Sequence, residues 1–175
     1  SKPFDQYIQD MSQNQSELQS IYHQFELPSN DSRIEQLKEK GYRYVLVITE
    51  DWCGDAMMNN AILKHIAEGA DLEVRAFYRD ENTDLIDQYL TNGKSRSIPI
   101  YIFMNENFEQ KAVWGPRAHT VQKFVEQVRS EYLPDKNDPS FDDKQKEVHQ
   151  TIHNRYATDP SFWNEVYESI LSRLI

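Results

Sequence analysis

The sequence predicts an α/β protein in which a four-stranded mixed sheet is flanked by helices. The first observation is the apolar run at 44–48, which is rich in β-branched residues and too short for a helix core. Such a run is typical of a strand buried on both faces of a sheet. The second observation is that similar runs alternate along the chain with segments of helical periodicity, as in α/β folds.

The first third of the chain is predicted to be mainly helical. Residues 1–27 carry apolar side chains at a spacing of three and four, which predicts two short helices or one kinked helix. A further helix is predicted over residues 31–40, with Gly41 at its C-terminal end. The buried strand over 43–49 follows, and then an amphipathic helix from 56 to 66.

The rest of the predicted sheet follows this helix. Residues 72–78 form the second strand, which the helix joins to the first in a right-handed βαβ unit. After a helix over 83–90, the third strand at 98–103 and the fourth at 108–114 are expected to form a hairpin. A helix that ends near Leu133 closes the unit.

Three segments are predicted from this order. Residues 1–41 form an N-terminal helical extension, residues 42–133 form the central α/β domain, and residues 134–175 form a C-terminal extension of two helices. The last helix, over 160–174, has a broad apolar face that must be covered. It either packs back on the domain or contacts another chain, as in a homodimer or a complex with a partner.

Charge and composition restrict the partners and the compartment. The net charge of −10 argues against binding to nucleic acid and to anionic membranes. No apolar run has the length of a transmembrane helix, and the first ten residues lack the apolar stretch of a signal peptide. One cysteine cannot form an internal disulfide, which favours the reducing cytoplasm.

That single cysteine, Cys53, is predicted to lie where the first buried strand passes into a helix. Unpaired backbone N–H groups and the positive end of the helix dipole would lower the thiol pKa there and favour the reactive thiolate. The carboxylate of Asp55 would raise the pKa, and the sequence leaves the balance open. The alternative for a lone cysteine is a small buried hydrophobic residue.

The chain resembles the thioredoxin superfamily over roughly residues 42–132. The resemblance depends on the element order βαβαββα combined with three short motifs. These motifs are Asp51-Trp52-Cys53-Gly54, Ile98-Pro99 and Trp114-Gly115.

The resemblance implies a thioredoxin-like fold whose sheet has the strand order second, first, third, fourth. It also implies a cis peptide bond before Pro99, next to Cys53, with the backbone beside the proline pairing with an extended substrate. Gly115 would border the same groove. The implied substrate-binding residues are Trp52, Gly54, Asp55, Ile98, Pro99 and Gly115.

Three departures from the superfamily pattern affect the chemistry. Ala56 occupies the position of the second cysteine of dithiol oxidoreductases, and Asp55 stands where many members have proline. Val47 replaces the buried aspartate of typical thioredoxins. Cys53 could therefore form a mixed disulfide, but an outside thiol would have to resolve it.

The leading hypothesis is a monothiol site that takes part in thiol–disulfide exchange with proteins or low-molecular-weight thiols and disulfides. The alternative is a non-catalytic binding module that docks a partner in the groove by Pro99 or on the 160–174 helix. A third hypothesis is a peroxide-sensing thiol that is oxidised to sulfenic acid.

No metal or cofactor is predicted. His149 and His153 have the spacing of a helical metal pair, but no third ligand motif lies nearby, which favours two solvated side chains. The five glycines do not form a phosphate-binding loop. Met57 and Met58 are expected on the core and surface sides of one helix rather than as metal ligands.

Overall fold

The computed structural model describes residues 1–175 and contains one mixed sheet of five strands with eight helices. Four of the strands are those that the sequence predicts. The additional strand has only two residues, which is too short to leave a periodic pattern in the sequence. In chain order the strands are β1 (Lys2–Pro3), β2 (Tyr42–Thr49), β3 (Glu73–Tyr78), β4 (Ile100–Asn105) and β5 (Gln110–Trp114).

The strands lie in the order β1-β3-β2-β4-β5. Strands β2 and β3 pair in parallel. The pairs β1–β3, β2–β4 and β4–β5 are antiparallel. Apart from β1, this is the order second, first, third, fourth that the resemblance implies, so the predicted mixed sheet and its hairpin are confirmed.

The helices surround this sheet, and several predicted boundaries differ from the observed ones, including the start of β5 at Gln110 instead of 108. Strand β4 begins two residues later than predicted, because the preceding Pro99 has no N–H for the ladder. The predicted 83–90 helix ends at Ile86, after which the backbone continues in three-residue turns. The helices are α1 (Phe4–Asp10), α2 (Gln15–Gln24), α3 (Ser32–Glu39), α4 (Gly54–Ala70), α5 (Thr83–Ile86), α6 (His119–Tyr132), α7 (Phe141–Thr158) and α8 (Pro160–Leu174), with a short 3₁₀ turn at Arg79–Glu81.

Helix α4 is the central helix of the molecule. It packs against α2, α3, α7 and α8, and eleven of its 17 residues are buried. The expectation that Met58 lies on the surface is wrong, since both Met57 and Met58 are buried where these helices surround α4. Cys53 therefore immediately precedes a helix whose position is fixed by the helices packed around it.

The three predicted segments share one hydrophobic core. The larger cluster of buried residues includes Leu18 from the N-terminal segment, Ile62 from the centre and Trp163 from the C-terminal segment. A smaller cluster on the other face of the sheet is covered by the short α5. Both faces of the sheet are therefore protected from water. Several helices cover the face with the larger cluster, and α5 covers the face with the smaller one.

The apolar face of α8 is covered within the chain. This helix packs on α4, α6 and β5, and its C-terminal end is tied to the sheet where the Tyr42 hydroxyl donates to the Leu174 carbonyl at 2.9 Å. Of the two expectations for this helix, packing back on the domain is the one observed. None of the eight helices combines the length and apolar character needed to cross a membrane.

Candidate functional site

Cys53 lies at the N-terminal end of α4, as the sequence predicts. It is the residue immediately before the helix, and its Sγ atom accepts a hydrogen bond from the N–H of Ala56 at 3.5 Å. Its carbonyl accepts the first helical hydrogen bond, from Met57, at 3.0 Å. The sulfur thus takes the place of the side-chain oxygen that usually caps a helix.

The turn before the cysteine is held by the N-terminal helices. The Asp51 carboxylate accepts hydrogen bonds from the backbone N–H of Ser12 at 2.9 Å and from its hydroxyl at 3.0 Å. The Asn14 side chain donates to the Asp51 carbonyl at 3.0 Å. The connection between α1 and α2 therefore positions the cysteine turn. No sequence motif indicates this role.

The sulfur lies beside the predicted cis proline. The Ile98–Pro99 peptide bond is cis, and the Cys53 Sγ atom lies 3.6 Å from the Ile98 carbonyl oxygen, to which the thiol donates. Cys53 is partly exposed and packs against the smaller apolar cluster. The sequence-predicted residues Cys53, Ile98 and Pro99 are thus brought together at one end of the sheet.

Gly115 borders this region at the end of β5 and has a φ of +131°. A Cβ atom at this position would lie 2.2 Å from the Pro99 carbonyl oxygen, a distance that real Cβ atoms do not adopt. Glycine is therefore required by the close approach of two backbone segments and by its own φ. The following bond, Gly115–Pro116, is also cis.

Asp55 is held in an ion pair that sequence reasoning missed. Its carboxylate lies 2.8 Å from the Arg117 guanidinium, and both side chains are largely buried. The Tyr156 hydroxyl donates to the same carboxylate at 2.7 Å. Since Arg117 follows β5 and Tyr156 lies in α7, three distant segments meet beside the cysteine, and no local spacing signals their contact.

The environment of Cys53 favours the neutral thiol. Burial raises the pKa of Cys53 to about 12, and the negative charge of Asp55 acts in the same direction. The hydrogen bond from Ala56 and the charge of Arg117 lower the pKa but do not offset these effects. The balance that the sequence leaves open is therefore decided by burial and Asp55, which outweigh the helix terminus, because the sequence does not reveal how densely the thiol is surrounded.

A cleft of about 330 Å³ opens beside the thiol between the cysteine turn, α6 and α7. Helix α7 forms one wall, and His153 and Tyr156 approach Gly54 so closely that a Cβ there would lie within 3.7 and 3.9 Å of them. The cleft is lined by Trp52, Cys53, Gly54, Asp55, Arg117, Arg129, His149, Ile152, His153 and Tyr156.

His149 and His153, for which the sequence favours two solvated side chains, both line this cleft, His149 exposed and His153 half-buried. Their spacing of four residues was the available signal, since it places both on one face of α7. No group of three or more histidine, cysteine or acidic side chains is arranged to hold a metal ion.

Trp52 is the exposed edge of the site. Its side chain is 46% exposed, and the Arg79 guanidinium lies over the indole ring at 5.0 Å from its centre. This cation–π contact orients the ring beside the cysteine without covering it. Trp52 is therefore available to a ligand or partner that approaches Cys53.

Comparisons with known proteins agree with this architecture. A family model described as thioredoxin matches residues 1–129, a range that includes the N-terminal helices as well as the sheet. No curated protein sequence matches the chain.

Two solved structures are similar in fold. One is a protein of unknown function from Pseudomonas aeruginosa, with 18% identity and a TM-score of 0.60 over 89% of each chain. The other is an HIV epitope-scaffold, with 16% identity and a TM-score of 0.65 over 99% of this chain and 92% of that one. At such identities the likeness concerns the fold alone.

Proposed function

Because the chain belongs to the thioredoxin family, we propose that it carries a monothiol exchange site at which Cys53 forms mixed disulfides with proteins or low-molecular-weight disulfides. The observation that carries this proposal is the position of the thiol. It faces an open cleft while its sulfur lies 3.6 Å from the carbonyl that precedes the cis proline.

The exchange step needs no cofactor. The Cys53 thiol loses its proton, and the thiolate attacks one sulfur of a disulfide RSSR. A new sulfur–sulfur bond forms, the old one breaks, and the leaving RS⁻ takes up a proton to become RSH. Cys53 is oxidised, and one half of the disulfide is reduced.

The raised pKa makes this exchange slow in both directions. At pH 7 only roughly one thiol in 100,000 is ionised when its pKa is about 12, so attack by Cys53 is slow. Once formed, the adduct is also slow to resolve, because a thiol of high pKa is a poor leaving group. No second cysteine is present to resolve it from within.

The proposed activity is therefore the capture of a disulfide in a long-lived adduct, which an external thiol later releases. The same raised pKa argues against the peroxide-sensing hypothesis, since the thiolate is the form that peroxide oxidises. It does not argue against slow exchange with a bound disulfide, because binding raises the local concentration of the reacting group.

The experiment is to incubate the protein with an excess of bis(2-hydroxyethyl) disulfide at pH 8 and to follow the intact mass. We expect one adduct per chain, formed over hours, absent in Cys53→Ser and reversed by added dithiothreitol. A wild-type chain that gains no mass under conditions in which a free cysteine peptide reacts completely would contradict the proposal.

The second candidate function is a non-catalytic binding module. It is favoured by the neutral thiol together with the exposed Trp52, which could serve as a docking residue without any bond to sulfur. A chain inert toward disulfides would support this candidate, particularly if Trp52→Ala abolished the capture of a partner that Cys53→Ser still bound.

A further inference from the structure

We propose that the cleft between the cysteine turn, α6 and α7 binds the carboxylate group of a small anionic disulfide and thereby delivers its sulfur–sulfur bond to Cys53. This inference deepens the proposed exchange function and rests on it. It assigns a ligand class to the cleft and a binding role to Arg129 and His149.

The size of the cleft suits a small molecule. Its volume of about 330 Å³ lies at the lower end of the range typical of small-ligand pockets. Ile152 of α7 supplies apolar surface, and Trp52 of the cysteine turn supplies a partly exposed ring. A compound of several heavy atoms on each side of its disulfide would fit with one sulfur directed at Cys53.

The charged residues that line the cleft differ in balance from those of the whole chain. The protein has a net charge of −10, yet the cleft is lined by two arginines and by a single acidic residue, Asp55, while Glu17, outside this lining, lies 3.8 Å from His153. That carboxylate is already paired with Arg117 at 2.8 Å. The remaining cationic side chain, Arg129, has no acidic partner within 4.0 Å, so its guanidinium is free to bind an anion.

The free groups come from two helices. Arg129 lies on α6 and His149 on α7, both are exposed, and both line the same cleft as Cys53. An arginine can bind a carboxylate through two parallel N–H donors, and a histidine can donate a further hydrogen bond. An anion held between these helices would therefore lie in the space that adjoins the sulfur.

The binding of a metal ion or of a cationic compound fits the cleft less well. Its one carboxylate is already occupied by Arg117 and by the Tyr156 hydroxyl, and no metal-ligand cluster is present. A cationic compound would meet Arg129 without a counter-charge. The ligand that matches the lining is a small disulfide that itself carries an anionic group.

The test compares three disulfides of similar size and different charge at pH 8. These are 3,3′-dithiodipropionate with two negative charges, bis(2-hydroxyethyl) disulfide with none, and cystamine with two positive charges. The rate of adduct formation at Cys53 is followed by intact mass for each. We expect dithiodipropionate to react fastest, although the net charge of −10 would by itself favour cystamine.

The variant Arg129→Gln identifies the anion-binding group. We expect it to slow the reaction of dithiodipropionate by about fivefold, the effect of losing roughly 1 kcal/mol of charge interaction, and to leave the neutral disulfide unchanged. The matched control is Lys123→Gln, which removes an exposed cation of α6 that lies outside the cleft. It is expected to change neither rate.

The outcomes separate this inference from the proposed function. If the neutral disulfide reacts but dithiodipropionate is no faster than cystamine, or if Arg129→Gln and Lys123→Gln behave alike, the anion site is overturned while the exchange function stands. If no disulfide reacts, the exchange function fails. Nuclear magnetic resonance of Cys53→Ser with 3,3′-thiodipropionate then decides the binding question, since an anion in the cleft must shift the His149 ring signals, and unshifted signals overturn the inference.

Discussion

The hydroxyl of Tyr156 donates a hydrogen bond of 2.7 Å to the carboxylate of Asp55, two residues after the only cysteine of the chain. Helix α7 is thereby attached to the turn that carries the thiol. The same carboxylate is paired with Arg117, so one acidic side chain links the end of the sheet, the cysteine turn and the C-terminal extension. The electrostatic state of the thiol thus depends on segments that lie far from it in the chain.

Replacing Asp55 by asparagine is expected to lower the pKa of Cys53 from its value of about 12, because it removes the second-largest cause of the raised pKa after burial. It also leaves the Arg117 charge unpaired, which acts in the same direction. We expect a fall of about one unit, equivalent to roughly 1.4 kcal/mol. The pH dependence of thiolate absorbance near 240 nm measures it.

The control for this prediction is Asp84→Asn, which removes an acidic residue that is not among the causes of the raised pKa. That variant should leave the titration of Cys53 unchanged. An unaltered or raised pKa in Asp55→Asn would mean that the carboxylate does not act on the thiol.

The Tyr156 hydroxyl is expected to stabilise the fold. Burial, aided by the charge of Asp55, raises the pKa of Tyr156, so its hydroxyl stays protonated and donates. Tyr156→Phe should lower the free energy of unfolding in urea by about 1–2 kcal/mol, since it removes a hydrogen bond to a charged group but leaves the ion pair with Arg117. Tyr132→Phe, at a residue that is 60% exposed, should have no such effect. Equal losses in the two variants would argue against the role of this contact.

Gly115→Ala is expected to disrupt the site. The added Cβ would lie 2.2 Å from the Pro99 carbonyl oxygen, so the two backbone segments would have to separate. We expect a loss of at least about 3 kcal/mol in the free energy of unfolding, as for other severe steric changes. Gly93→Ala is the matched control, because its φ of +69° is also positive but no atom lies within 4 Å of the new Cβ.

That control measures the cost of a side chain at a positive φ without a steric clash, which is about 1–2 kcal/mol. A Gly115→Ala protein as stable as Gly93→Ala would show that the segments beside Pro99 can move apart freely. In that case the groove that borders the cysteine would be adaptable rather than preformed.

The alkylation rate of Cys53 should depend on pH in a way that distinguishes it from a free thiol. With a pKa of about 12, the rate with iodoacetamide should rise about tenfold per pH unit from pH 7 to pH 10 without a plateau. A free cysteine levels off near its pKa of about 8.5. A plateau below pH 9 in the folded protein would contradict the raised pKa.

The raised pKa of Cys53 also makes the free energy of unfolding depend on pH. The thiol ionises at lower pH in the unfolded chain than in the folded protein, so its contribution is complete below about pH 9 and is lost as the pH rises toward about 12. The difference in unfolding free energy between wild type and Cys53→Ala should therefore shrink over that interval. This comparison removes the parallel effect of the buried tyrosines, which both proteins retain.

The sequence alone was sufficient for the order of the elements around the site. Strand β2, helix α4 and the hairpin of β4 and β5 follow from apolar periodicity, which depends on residues a few positions apart. The two-residue β1 escaped prediction because a pairing of two residues leaves no pattern. The contribution of α7 to the site was not predicted for a different reason. The spacing of His149 and His153 shows that they share one face of a helix, but it does not show which part of the protein that face contacts.

The amino-acid sequence by itself determined the α/β class, the strand order within the thioredoxin family and the place of Cys53 beside Pro99. The α/β class comes from local periodicity, whereas the strand order and the place of Cys53 are what the resemblance to the thioredoxin superfamily implies. Both the periodicity and the motifs that carry the resemblance lie in short stretches of the chain. Only the tertiary structure decided that burial and Asp55 raise the pKa of Cys53, that Asp55 pairs with Arg117 and Tyr156, and that α7 forms one wall of a cleft. Burial and charge pairing depend on which distant segments contact each other, and a pattern of neighbouring residues does not show these contacts.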